Sequence, residues 1–355
     1  MLIWVGRFYS DIIFSEHLFE GAITIYSFSG EKKCECFSYL SDDSKETVAF
    51  LDKGFKEFVL DCMKQLVKQN KKSRFLFYSD ILATEIIEEN PFWEEYIVAV
   101  NRNQHPWLRS KTYSRIWLKD IVKLPGLDIV TKEECTMKEL QSRFPDSKQF
   151  IIQENISSGG HGTYLLNSST EESVQEKLDH DLCYVVSPYV EDSKSINTHV
   201  FISDNQILVF PYSFQDIIYS NDRLEFYGSV FTPNKEKKEE VHELSYKIAE
   251  KLQTIGYRGI CGIDLLITED DLYFVELNCR FQGSTFIIDS FANSRYGVSI
   301  FDLVLKGFEG VDFPLSQKEV VELDYELLYS IKNMPDSNYP VIYKESHMHR
   351  CLQYR

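Results

Sequence analysis

Apolar positions in the first hundred residues switch between short runs and a helical period. Leu2 to Val5 is an apolar run that breaks at Gly6, and Ala22 to Phe28 is a second strand-like stretch. Val48, Leu51, Phe55, Phe58, Val59, Met63 and Leu66 then recur at helical spacing, which predicts an amphipathic helix. Arg74 to Tyr78 reads as a buried strand ending at Ser79-Asp80, and Ile97 to Val100 as another. Strand and helix in alternation predict an open α/β sheet, which takes ligands at its strand ends.

A boundary falls near Asn101 to Pro106, after which Ser110 is placed to cap a helix through Lys111, Arg115 and Leu118. The next strands are Gln149 to Gln153 and Cys183 to Val186, with the Gly-rich stretch Ser157 to Thr163 between them. Strands follow at Thr198 to Ile202 and Ile207 to Phe210. Val241, Leu244, Ile248, Leu252 and Ile255 then mark one face of a helix that stops at Gly256. Gly262 to Ile267 and Leu272 to Asn278 pair as a hairpin. The expected organisation is an N-terminal α/β domain (1–105), a small α+β lid subdomain (106–190), a large α+β subdomain (191–310) and a C-terminal extension (311–355) with an acidic-apolar stretch and a basic end.

Charge narrows the partners. The formal net charge of -17 disfavours nucleic acid and anionic membranes. A nucleotide would need a divalent cation and a local basic pocket on so acidic a chain. The eight cysteines are scattered, and Cys34-Glu35-Cys36 lacks a second Cys/His pair at zinc spacing, so reduced thiols are expected. The N-terminus has no signal-peptide pattern and no run reaches transmembrane length, which reads as a cytoplasmic protein.

The chemistry concentrates in the hairpin. A three-residue loop, Glu269 to Asp271, would place Asp264 opposite Glu276, with Asn278 two residues further on the same face. Two buried, facing carboxylates cannot both stay ionised unpaired. A divalent cation resolves that conflict, and carboxylates with an amide oxygen suit Mg²⁺. A pair of salt-bridged structural acids is the bland alternative.

The run Glu276-Leu-Asn278-Cys-Arg280-Phe-Gln-Gly283-Ser284 resembles the Glu-x-Asn-x-Arg-x-x-Gly-Ser signature of ATP-grasp ligases. The resemblance spans roughly residues 105–310 and implies the ATP-grasp fold with ATP and Mg²⁺ (or Mn²⁺) as cofactors. It implies that Asp264, Glu276 and Asn278 hold the metal and that Arg280 approaches the transferred phosphate. Lys111 resembles the Lys that reaches the nucleotide phosphates. Ser158, Gly159, Gly160, His161 and Gly162 resemble the lid loop over them. Val185 to Glu191 resembles the hinge that reads adenine, through Val186 and Pro188, with Glu191 or Asp192 at the ribose. In one respect the chain departs from the pattern: where the family carries a Lys on the strand before the lid, it has Gln153, which contributes no charge. Lys194, just past the hinge, is either a partial compensation or, the favoured reading, an ordinary exposed Lys.

The implied activity is carboxylate–amine ligation through an acylphosphate on small-molecule substrates such as amino acids or short peptides. Loading of an amino acid onto a carrier-protein thiol, a non-catalytic nucleotide-binding role and a kinase on the same fold are the alternatives. The oligomeric state stays open, a homodimer being one option. Arg7, beside Gly6 at a strand end, can hold a carboxylate or be an ordinary surface Arg. His199 can line the site or be a core histidine. His347 and His349 read as polar tail residues.

Overall fold

The computed structural model describes residues 1–28, 31–40, 51–98, 106–157, 160–233, 235–321, 328–331 and 342–344. Ser158, Gly159, His347 and His349 lie outside them.

The N-terminal part is a parallel sheet of β1 (Leu2–Gly6), β2 (Gly21–Thr24), β3 (Glu35–Ser38), β4 (Arg74–Phe77) and β5 (Ile97–Val98), in the order β3-β2-β1-β4-β5. Helices α1 (Lys53–Gln69) and α2 (Asp80–Glu89) cross between strands, and Asp52 and Ser79 cap their first turns. The helix α1 begins at Lys53, within the predicted span, because the Asp52 carboxylate accepts the Phe55 amide. The strand β2 is shorter than the predicted run. Beyond Thr24 the chain turns away, and the Thr24 hydroxyl donates to the Tyr26 carbonyl.

The remainder begins with α3 (Lys111–Leu118), β6 (Asp128–Val130), α4 (Met137–Arg143), β7 (Phe150–Glu154), β8 (Thr163–Leu166), α5 (Glu171–Lys177) and β9 (Tyr184–Pro188). It continues through β10 (Lys194–Ile202), β11 (Ile207–Val209), β12 (Ser213–Ser220), β13 (Arg223–Phe231), α6 (Lys238–Thr254), β14 (Gly259–Ile267) and β15 (Leu272–Asn278). The last elements are α7 (Thr285–Tyr296), α8 (Ile300–Glu309), α9 (Gln317–Val321), β16 (Leu328–Ile331) and β17 (Ile342–Lys344).

Among the described residues, a second sheet runs in the order β15-β14-β10-β12-β13-β8-β7-β9-β6, with β11 on β10 and β16-β17 on β13. The hairpin β12–β13 turns at Asn221-Asp222, both at positive φ, and its Arg223 pairs with Tyr164 of β8. That hairpin joins the β7–β9 layer to the strands that carry the acids.

Three hydrophobic cores position the site. Val130, Phe150, Ile152, Tyr164 and Val186 lie in one. Leu108, Leu118, Ile248, Ile263, Leu265 and Phe274 lie in another, so α3 packs with the acid-bearing strands. A third joins Trp4 and Leu76 of the N-terminal sheet to Phe281, Phe286 and Phe301. No helix among the described residues is long and apolar enough to cross a membrane.

Candidate active site

The hairpin β14–β15 brings Asp264 opposite Glu276 and Gly262 opposite Asn278. The predicted pairing is present, but by another route. Ile267 pairs with Leu272, so the loop is the four residues 268–271 and not the three expected. A β-bulge at Val275, where the register shifts between Asp264 and Leu265, makes up the difference. The Thr268 side chain and backbone close the loop on Asp271, which is why it takes the extra residue.

The three groups meet. Asn278 Nδ2 donates to Asp264 Oδ2 at 2.9 Å and to Glu276 Oε1 at 3.4 Å. Asp264 also accepts from Asn197 Nδ2, opposite it on β10, and from Gln215 Nε2 at 3.4 Å. Glu276 forms an ion pair with Lys111 at 3.2 Å. Arg280 donates to Asn278 Oδ1 at 3.1 Å and to the Phe281 carbonyl at 2.9 Å.

Electrostatics separate the two acids. Burial, followed by the charge of Glu276, pushes the Asp264 carboxyl up to about 7. Burial acts the same way on Glu276, but the charges of Lys111, Arg280 and Arg115 outweigh it and hold its pKa below the usual value. The result is one firmly ionised carboxylate beside one whose charge is costly without a cation.

The donor set fits Mg²⁺, which takes oxygen ligands and few protein groups. Asn197 Oδ1 is a further buried oxygen without a donor among the described residues. Among the described residues no three His, Cys, Asp or Glu side chains cluster, and the oxygens this site offers a cation are two carboxylates and side-chain amides. A half-turn of the Asn278 amide directs its oxygen where its nitrogen now lies between the acids.

Lys111 opens α3 and is only 3% exposed. Its ammonium also donates to the Ser157 carbonyl and hydroxyl at 3.1 and 3.0 Å, tying the start of α3 to the Gly-rich loop. Ser110 caps the helix, and Asn155 Oδ1 accepts from the Ser110 hydroxyl and the Thr112 amide. In that loop Gly160 and Gly162 have φ of +82° and +63°. A Cβ on Gly160 would lie 2.5 Å from the Leu224 carbonyl, so this glycine also serves close packing on the hairpin β12–β13. His161 is exposed. Val186 is buried in β9 with Pro188 ending the strand, while Glu191 and Asp192 are exposed just beyond it.

Gln153 is buried in β7, and a buried guanidinium lies against it. Arg115, 2% exposed, donates from Nη2 to Gln153 Oε1 at 2.8 Å and from Nε to the Val275 carbonyl at 2.9 Å. Burial lowers its pKa to about 10, so it stays charged at neutral pH. Lys194 is exposed and pairs with Glu236, as an ordinary surface Lys does. His199 is a core histidine, bonded to the Thr285 hydroxyl at 3.2 Å. Sequence reasoning missed the roles of Arg115, Asn197 and Gln215. The position of Asn197, a polar residue entering an apolar strand run, was the available signal.

Comparison with known proteins bears on the fold that carries this site. Residues 109–284 match the family described as ATP-grasp domain. No curated protein matches the chain by sequence. Among solved structures, biotin carboxylase from Campylobacter jejuni in a β,γ-ATP complex is similar at TM-score 0.64 and 14% identity, covering 93% of this chain and 74% of that one. L-amino acid ligase from Bacillus licheniformis gives 0.60 and 14%, covering 93% and 78%. N5-carboxyaminoimidazole synthetase from Staphylococcus aureus with ADP gives 0.59 and 16%, covering 93% and 81%. At these identities the likeness is one of fold. Residues 109–284 therefore belong to the ATP-grasp superfamily, and the chain that carries them has the ATP-grasp fold.

Proposed function

We propose that this protein is an ADP-forming carboxylate–amine ligase that uses MgATP and small-molecule substrates. The observation that carries the proposal is the bulged hairpin, which brings Asp264, Glu276 and Asn278 together between Lys111 and Arg280. Asp264, Glu276 and Asn278 are the metal-holding residues in this reading. Bound there, the cation would neutralise phosphate charge and draw the nucleotide to an otherwise acidic chain.

The chain's own residues do the remaining work. Lys111 and Arg280 face the charge that develops as a substrate carboxylate attacks the γ-phosphate. Gln153 and Arg115 receive the nucleotide on the β7 side, which removes the main reason for a non-catalytic reading. The Gly160–Gly162 turn covers the phosphates and keeps water from the acylphosphate. An amine then attacks the acyl carbon, and an amide and phosphate leave. Two of the similar structures are named as a synthetase and as an L-amino acid ligase, and the second name supports amino acids as the first substrates to try.

The test is phosphate release from MgATP across pooled amino acids and dipeptides, with mass spectrometry of each positive pool. A condensed product together with ADP supports the proposal. Release that persists undiminished in Glu276→Ala would refute the assignment of the metal site.

A further inference from the structure

The N-terminal sheet carries a second constellation. The chain leaves β1 for β2 on one side, while β4 lies on the other, so the crevice between the carboxyl ends of β1 and β4 is the sheet's topological switch point. Arg7 follows β1, Asp11 lies in the short helical turn after it, and Tyr78 follows β4. Arg7 Nε and Asp11 Oδ2 are both buried from solvent and have no hydrogen-bond partner among the described residues. The two side chains feel each other's charge without a bond between these atoms. Asp11 also has a backbone hydrogen bond from Phe8, so what stays open is one buried oxygen beside one buried N–H, and such atoms are costly to leave unpaired unless a ligand completes them.

The same crevice is tied to the phosphate end of the site. Tyr78 feels the charges of Arg280, Asp11 and Arg7, and its hydroxyl accepts from Arg280 Nη1 at 3.5 Å. The Phe281 amide donates to the Tyr78 carbonyl at 3.2 Å, which fastens the loop after β15 to the loop after β4. Arg7 and Asp11 are therefore neighbours of the residue that contacts Arg280.

We propose that this switch point seats the amine substrate and that this substrate is an α-amino acid bound as its zwitterion, with its carboxylate on Arg7 and its ammonium on Asp11. The inference rests on the ligase reading for its role in turnover. A simple amine would leave Arg7 unneutralised, and a substrate with carboxylates alone would leave Asp11 facing its own sign. Burial raises the Asp11 carboxyl to about 7, which suits a group that takes up a proton near neutrality. The ammonium passes one proton to Asp11, and the freed nitrogen lone pair attacks the acyl carbon. The bond from that carbon to the phosphate oxygen breaks, phosphate departs with the electron pair, and the second proton leaves with it.

Binding, read apart from turnover, tests the assignment. The full chain is titrated by ligand-observed NMR with the common L-amino acids, with and without MgADP, and with their N-acetyl and carboxamide counterparts. At least one free amino acid binds, and both its derivatives lose affinity at least about tenfold. Arg7→Met and Asp11→Asn lose a similar factor while MgATP affinity is kept. Should Arg7→Met fail to fold, Arg7→Lys keeps the charge and the derivatives still decide the matter in the unaltered chain. Equal binding of the derivatives, equal binding by folded variants, or no amino acid bound in either condition overturns the inference. Amino-acid binding with this pattern but without MgATP binding would uphold the zwitterion site and sink the ligase reading instead.

Discussion

His199 shows how far a single residue's surroundings decide its role. Its position in an apolar strand left two readings open, and only the packing of β10 against β14, with Thr285 behind, makes it a core group. Burial first, and the Arg280 charge second, lower its pKa from 6.5 to about 3. A histidine held neutral in the fold contributes stability that is present above pH 6.5 and lost as pH falls towards 3, because the unfolded chain then binds the proton more readily. Between pH 7.5 and 5 the native chain should lose about 2 kcal/mol that His199→Gln does not lose, as read by urea unfolding at each pH. The acids were legible from sequence for the opposite reason. Asp264, Glu276 and Asn278 follow the two-residue period of a strand, so their convergence is a property of local pattern. Arg115 was not legible as a site residue, because its partners lie on β7 and β15, far away along the chain.

At the scale of elements, α3 is the joint of the site. Its first residue reaches Glu276 and Ser157, and Arg115, one turn later, bridges Gln153 of β7 to the bulge on β15. Arg115→Met would leave the Gln153 amide oxygen and the Val275 carbonyl without their donor and should cost roughly 2 to 4 kcal/mol in denaturant unfolding. It should also weaken MgATP binding by about tenfold or more. The double variant Arg115→Met/Gln153→Lys should recover most of that affinity, since it returns a cation to β7. If calorimetry shows no recovery and no loss in the single variant, Arg115 has no part in nucleotide binding. Helical and strand periods revealed α1, α6 and the β14–β15 pair. The hairpin β12–β13 escaped, although Asn221-Asp222 between β-rich flanks is a two-residue turn signal. The bulge at Val275 also escaped, because the residues before it, Leu272 to Phe274, and those opposite them on β14 carry no charge, so a one-residue slip there leaves no mark in the polar pattern.

For the whole molecule, the open α/β pattern of the first hundred residues and the hairpin chemistry were readable, but the way the parts lock together was not. Trp4 on β1 stands edge-on to Phe281 and Phe301, each at 5.3 Å between ring centres, so the N-terminal sheet shares a core with the loop after the acids. Such contacts join residues nearly the full chain apart, and no local period encodes them. Trp4→Ala should cost roughly 3 to 5 kcal/mol and should lower ligase turnover as well, because it loosens the loop that holds Arg280. Thermal unfolding of the native chain should be a single transition for the two parts. Separate transitions would show that the shared core does not couple them.

The central claim is that a carboxylate becomes a phosphorylated acyl group on this chain, and the oxygen of the released phosphate reports it directly. With a pool of amino acids carrying oxygen-18 in their carboxylates, turnover of MgATP should yield phosphate that has gained one labelled oxygen, in amounts matching the amide formed. Unlabelled phosphate, with or without product, would contradict the account.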